Sequence, residues 1–187
     1  MTVAINTLRS ARTFLFVPGD RPERFGRALA SSADIVIVDL EDAVAPEHKD
    51  EARDHAVRLL ADTDGRVIVR INDPRSDAGR HDVAALATAG EPVAVMVPKA
   101  DERSVLDALH ARLPFESALL PLMETAAGIL DSRTVAGAAG VVRLILGHLD
   151  LAADLGLAPD DHARLAPARF AGVATSAAAT LPPPVDG

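Results

Sequence analysis

Two acids, Glu124 in METAAG and Asp150 in LGHLDLAADLG, each follow an apolar run that reads as a strand. Neighbouring strand ends in a parallel sheet lie about 5 Å apart, so two carboxylates placed there can reach one ion. One or two carboxylates completed by water and substrate oxygens describe a Mg²⁺ site. Capping of the following helix is the alternative for either acid alone, and the two together favour the metal. His148 stands two residues before Asp150. A strand running through both would keep them on one face and soften the ligand set toward Zn²⁺ or Mn²⁺. A turn after Gly147 would instead leave His148 as a loop histidine bonded to backbone.

Other residues with chemistry to offer end similar runs. IVIVDLEDAV, residues 35–44, delivers Asp39, Glu41 and Asp42 to the carboxyl end of a Val- and Ile-rich strand, and Arg70 closes RVIVR. A guanidinium emerging from a buried strand must meet an acid, and it can grip a carboxylate through two parallel hydrogen bonds. A substrate carboxylate is one such acid; Asp39, Glu41 and Asp42 are the others. Lys99 in MVPKA could form a Schiff base only with its pKa depressed in an apolar pocket, and pairing with the acids around it is the favoured reading. LFVPGDRPERF sets Pro18 and Gly19 ahead of Arg21 and Arg24 near a helix start. Backbone N–H groups and cations there suit a phosphate, although neither a Walker loop nor a GxGxxG fingerprint is present.

These residues need a scaffold that gathers strand ends. TFLFVP, DIVIVDLED, RVIVRIN, VAVMVPKA, SALLPLMET and VVRLILGHLD recur at intervals of about 25 to 30 residues. Between them lie helical spacings. Ala52, Ala56, Leu59 and Leu60 follow the helix-start signal APEHKDEAR, and Val105, Leu106 and Leu109 form one stripe in DERSVLDALHARL. Such alternation implies parallel strands joined by right-handed crossovers. All six runs end in polar or turn-forming residues. A barrel brings every strand end to one mouth, whereas a doubly wound sheet uses mainly those near its switch point. The expected fold is therefore α/β, a TIM (β/α)8-type barrel in one domain over residues 1–187. With about six βα units against the roughly 250 residues of a full barrel, it is expected to be incomplete at the C-terminus. AAATLPPPVDG is where a seventh strand could begin.

With 187 residues, 49% of them hydrophobic, the chain can bury a sizeable core. A net charge of -8, no basic run and 3% aromatics argue against nucleic acid as a partner. The absence of cysteine excludes disulfides and thiolate metal sites. MTVAINTLRSART lacks the apolar core of a signal peptide, and no run approaches the ~18 apolar residues of a membrane span. The expected location is the cytoplasm, without membrane attachment. An incomplete barrel would expose sheet edges, so a homo-oligomer is also expected.

RTFLFVPGDRPERF, ADIVIVDLEDAVAPEHKDEAR, VIVRIN, MVPKA, PLMETAAGI and LGHLDLAADLG, in this order, resemble the citrate lyase beta-subunit-like branch of the HpcH/HpaI aldolase family. The resemblance extends over about residues 9–187. It implies a (β/α)8 barrel that makes or breaks a C–C bond beside a carbonyl, in a CoA thioester or an oxoacid, with Mg²⁺ or Mn²⁺. By position it implies Glu124 and Asp150 as the metal ligands and Arg70 facing substrate carboxylate and carbonyl oxygens. Glu41 and Asp42 would lie near the metal's waters. Pro18, Gly19, Arg21, Arg24 and Arg27, in PGDRPERFGRA, would lie beside the CoA moiety. The implied reaction cleaves or forms a 3-hydroxyacyl-CoA thioester such as citramalyl-CoA, malyl-CoA or a citryl thioester through an enolate. Mg²⁺ would serve as Lewis acid and Arg70 would stabilise developing negative charge. Two other readings are an aldolase of the class II type on free 2-oxoacids, which DLEDAV leans against, and a degenerate barrel fragment that serves binding or assembly. Family members continue into a seventh and an eighth strand. In malyl-CoA lyase-like members a C-terminal segment then brings an acid to a neighbouring subunit's site. His148-Leu149 also departs from the small or acidic residues common before the aspartate.

Overall fold

Seven parallel strands pair strictly in chain order in the computed structural model, which describes residues 5–63 and 65–187. The first four residues of MTVAINTLRSART lie outside the described residues. The strands are β1 (Phe14–Pro18), β2 (Ile35–Asp39), β3 (Val67–Arg70), β4 (Ala94–Val97), β5 (Ala118–Met123), β6 (Ile145–Leu146) and β7 (Val185–Asp186). Unbroken chain order is the topology of a barrel wall; a doubly wound sheet reverses order at its switch point. Where six units were expected there are seven strands. Val185 N–H donates to Leu144 O and Gly187 N–H to Leu146 O, and these bonds bring the Pro-rich tail into the sheet.

Helix α1 (Ile5–Ser10) precedes β1. The crossovers carry α2 (Phe25–Leu29), α3 (Lys49–Asp62), α4 (Asp77–Ala87) and α5 (Arg103–His110). Further on come α6 (Ala126–Leu130), α7 (Ser132–Ala136), α8 (His148–Asp154) and α9 (His162–Ala178). Among the described residues no helix is long and apolar enough to cross a membrane.

Alternation along each strand divides the core into two layers. Ile35, Ile37, Ile68, Met96, Leu120 and Ile145 pack together on the inner face. Val36, Val38, Val67, Val69 and Val95 pack outward with Ala52, Ala56 and Leu106 of the helices. All five residues of β2 are therefore buried, and each fully buried Ile or Leu contributes about 1.5–3 kcal/mol. Leu8 and Ala11 join the inner layer. Arg143, buried just ahead of β6, donates to Leu8 O at 3.1 Å and to Pro183 O at 2.8 Å, tying the segment before β1 to the one before β7.

Candidate active site at the carboxyl ends of the strands

Asp39 and Arg70 are register partners on β2 and β3. Arg70 Nε lies 2.7 Å from Asp39 Oδ1 and Nη2 lies 2.6 Å from Oδ2, a two-bond grip. Nη1 stands 3.3 Å from Glu41 Oε2 and 3.5 Å from Asp42 Oδ2. The guanidinium also lies over the Phe16 ring, 5.1 Å from its centroid. Burial works against the charge on Arg70, but the Asp39 hydrogen bonds and the surrounding acids outweigh it and raise the pKa. Of the two readings of Arg70, the intramolecular ion pair is present; Asp39 takes Nε and Nη2, and Nη1 faces Glu41 and Asp42 beside the mouth.

Lys99 follows β4 and bridges two strands' acids. Its Nζ donates to Glu41 Oε1 at 2.6 Å and its backbone N–H to Glu124 Oε1 at 2.9 Å. Its φ of 48° lies in the left-handed region, uncommon for a residue other than glycine. Burial would lower the Lys99 pKa, yet the hydrogen bond and charge of Glu41 raise it. A Schiff-base lysine needs the opposite shift, and the structure shows the ion pair instead. Glu41 is buried, and desolvation pushes its carboxyl up against the pull of Lys99 and Arg70. Its Oε2 is buried without a hydrogen-bond partner.

A buried network that sequence reasoning missed holds the DLED turn in place. Asp39 Oδ1 accepts from Glu41 N–H at 2.8 Å. Asp82, fully buried on α4, accepts from Arg53 Nε at 2.9 Å, from Asn72 N–H at 2.8 Å and from Asn72 Nδ2 at 2.7 Å. Asn72 Nδ2 also donates to Leu40 O, and Lys49 Nζ donates to both Leu40 O and Glu41 O. The available signal was the RIND ending, where a polar Asn follows a buried strand.

Glu124 directly follows β5 and is 2% exposed. Asp150 is not at a strand end as expected. The chain turns at Gly147 as soon as β6 ends, α8 begins at His148, and Asp150 lies in its first turn. The two acids nevertheless line one cavity of about 330 Å³ with Asp42, Lys99 and Asp154. Burial pushes the Glu124 carboxyl up to about 7; the Lys99 N–H opposes this and the charges of Glu41 and Asp150 add to it. Gly147 is needed for the close approach, because a Cβ there would lie 2.9 Å from Glu124 Cβ and 3.0 Å from Oε2. The turn also breaks the strand alternation that would have matched His148 to Asp150.

Neither acid is taken up by helix capping. Thr125 Oγ1 caps α6 by accepting from Gly128 N–H, and Asp154 Oδ2 accepts from Ala126 N–H. Among the described residues no cluster of three or more His, Cys, Asp or Glu is arranged to hold a metal. A two-carboxylate donor set does not suit a closed zinc site, but it fits Mg²⁺, which keeps several waters beside one or two carboxylates. Glu41 Oε2, which faces Arg70 Nη1 at 3.3 Å but accepts no hydrogen bond, suits a proton of such a water.

Gly19 N–H donates to Asp39 O at 2.8 Å, and a Cβ on Gly19 would lie 2.8 Å from Leu40 Cδ2, so glycine lets Pro18 and the end of β1 dock on β2. Beyond it come a single 3₁₀ turn, Pro22–Arg24, and the five-residue α2. Arg21, Arg24 and Arg27 are exposed and line neither the cavity shared by Glu124 and Asp150 nor the one beside it between Phe16, Arg70 and Asp150. The structure thus gathers Arg70, Glu41, Asp42, Glu124 and Asp150, and it keeps the three arginines apart from them.

The citrate lyase subunit beta-like protein of Mycobacterium tuberculosis is 39% identical over 143 residues, 76% of this chain and 50% of that protein. The (3S)-malyl-CoA thioesterase of Cereibacter sphaeroides is 35% identical over 147 residues, 77% of this chain and 51% of its own. The chain spans about half the length of these curated relatives. A solved structure, the citrate lyase beta subunit from M. tuberculosis complexed with oxaloacetate and magnesium, superposes with a TM-score of 0.78 at 34% identity, covering 96% of this chain and 80% of that one. The HpcH/HpaI aldolase/citrate lyase model matches residues 12–181. With its barrel-wall topology and the acids at its strand ends, the chain belongs to the HpcH/HpaI aldolase/citrate lyase family.

Proposed function

We propose that these strands carry the site of a Mg²⁺-dependent carbon–carbon lyase acting on a short 3-hydroxyacyl-CoA thioester. One observation carries the reading: Glu124 and Asp150 share a cavity, and neither is taken up by capping. A similar structure was solved with oxaloacetate and magnesium, and a relative is named for malyl-CoA. Mg²⁺ would supply Lewis acidity at the hydroxyl or keto oxygen of the substrate.

The chain's own residues would do the rest. Glu124 and Asp150 hold the ion, and the Lys99 N–H fixes the Glu124 carboxylate. Asp39 locks the Arg70 fork, so the Nη1 edge presents fixed positive charge where the substrate's carbonyl oxygen gains negative charge. Glu41 Oε2, buried without a hydrogen-bond partner, would accept a hydrogen bond from a bound water and orient it. Pro18, Gly19 and the exposed Arg21, Arg24 and Arg27 lie at the end of β1, where the phosphates of CoA can be met outside the mouth. Leu15, exposed on the outer face of the edge strand β1, favours an oligomer that covers it.

Thioester hydrolysis is a second reading, favoured by the relative named a (3S)-malyl-CoA thioesterase. Incubation with malyl-CoA or citramalyl-CoA and Mg²⁺ separates the two. A lyase releases glyoxylate or pyruvate and leaves acetyl-CoA intact, without free thiol; a hydrolase releases the CoA thiol. The expected product is the oxoacid. Free thiol without oxoacid would replace the lyase with the hydrolase, and no Mg²⁺-dependent product would remove both.

A further inference from the structure

We infer that the oxoacid half of the substrate is a monocarboxylate with a small apolar substituent rather than a dicarboxylate. The inference rests on the lyase reading of the same site. A second cavity of about 330 Å³ adjoins the acidic one and shares Glu124 and Asp150 with it. One side of it is apolar, formed by Phe16 from β1, Leu122 from β5, Ile145 from β6 and Leu149 from α8, while Asp39, Arg70 and His148 line the rest with the two shared acids. Leu122 and Ile145 are register partners, and Phe16 pairs with the inward-facing Ile37, so these side chains form the top of the inner layer.

The charges at the mouth point the same way. Asp39, Glu41, Asp42, Glu124, Asp150 and Asp154 line or adjoin the two cavities; among the described residues Lys49 adjoins them behind Glu41, and the cations that line them are Arg70 and Lys99. Both already face acids, Arg70 three of them and Lys99 one. A divalent ion reduces the negative excess without reversing it. Every 2-oxoacid offers the metal the same carboxylate and keto oxygen; they differ in the group on the far side of the keto carbon. A methyl or ethyl group there would bury apolar surface on this wall. A carboxymethyl group would set a second carboxylate against hydrocarbon or beside like charge, which is unfavourable in either place.

The test is a calorimetric titration of the Mg²⁺-loaded protein with pyruvate, 2-oxobutyrate and freshly dissolved oxaloacetate. The last two share a four-carbon chain and differ in the terminal methyl or carboxylate. His148 also lines this cavity, so all three titrations are made in one buffer at a single pH. The expected result is binding of pyruvate and 2-oxobutyrate about tenfold or more tighter than oxaloacetate. Leu149 is 62% exposed, so Leu149→Lys can be made without disturbing the core. It adds an unpaired cation to the wall and should narrow the gap about threefold or more. Equal or tighter binding of oxaloacetate by the parent protein overturns the inference and leaves the lyase reading standing. An unchanged gap in Leu149→Lys also overturns it. Failure of all three oxoacids to bind removes the lyase reading, and the inference with it.

Discussion

Replacing Gly147 with alanine adds one methyl group where the chain leaves β6 for α8. Its φ of -93° is open to any residue, so the effect is steric and not conformational. The new Cβ would stand 2.9 Å from Glu124 Cβ, 3.0 Å from Oε2 and 3.3 Å from Leu122 Cδ1. Carbon atoms rest at about 3.5–4.0 Å, so either Glu124 or the turn must move by roughly 0.5–1 Å. Glu124 is not free to yield, because it is buried and Lys99 N–H holds Oε1 at 2.9 Å. Overpacking of this kind costs about 1–3 kcal/mol. Disturbing the setting of a ligand typically lowers metal affinity about 10- to 100-fold. The assay is calorimetric titration of the metal-free protein with Mg²⁺, run beside a thermal melt. Gly26→Ala is the control: nothing lies within 4 Å of its Cβ, and alanine inside α2 favours the helix by about 0.5–1 kcal/mol. That variant should bind Mg²⁺ like the parent and melt at the same temperature or higher. A folded Gly147→Ala protein with parental Mg²⁺ affinity would refute the placement of Glu124 as a ligand held against this turn.

The raised Glu124 carboxyl makes the metal-free protein pH-sensitive. Between the ordinary carboxylate value of 4.5 and about 7, the folded chain keeps a proton that the unfolded chain has released. The folded state then binds more protons, and this group's contribution to stability falls as pH rises through that window. Urea midpoints in chelator should drop more steeply from pH 5 to pH 8 for the parent than for Glu124→Gln, and parallel slopes would count against the shift. Asp82→Ala leaves the buried Arg53 Nε and the Asn72 N–H without their acceptor, although Asp50 and Leu40 O keep the other bonds of these side chains, so it should cost about 3 kcal/mol by urea denaturation. Asp50, the exposed partner of Arg53, can be replaced by alanine with little change in midpoint, and equal effects at the two positions would contradict the network.

Much of this arrangement was legible because a parallel barrel strand is apolar on both faces and ends abruptly in polar residues. IVIVD, VIVR and ALLPLM read as buried strands, and Arg70 and Glu124 followed from where the last two runs stop. What escaped depends on register and on local turns. Which of Asp39, Glu41 and Asp42 takes the Arg70 fork is decided by the pairing of β2 with β3, which sets Asp39 directly beside Arg70. Asp150 was placed on a strand end because VVRLILGHLD reads as one apolar run. Gly147 ends that strand early to clear the Glu124 side chain, a contact invisible without β5 beside it. The double role of Lys99 also needed coordinates, since its backbone N–H and its ammonium serve acids on different strands. The seventh strand was marked only as a place where one could begin, because three prolines precede its two residues.

The most direct measurement is a calorimetric Mg²⁺ titration of the metal-free protein beside Glu124→Ala and Asp150→Ala. Two carboxylates sharing one ion predict a single binding event in the parent that disappears in both variants while their melting transitions persist. Parental Mg²⁺ binding in either folded variant, or no binding in the parent, would contradict a shared metal site at the mouth of this barrel.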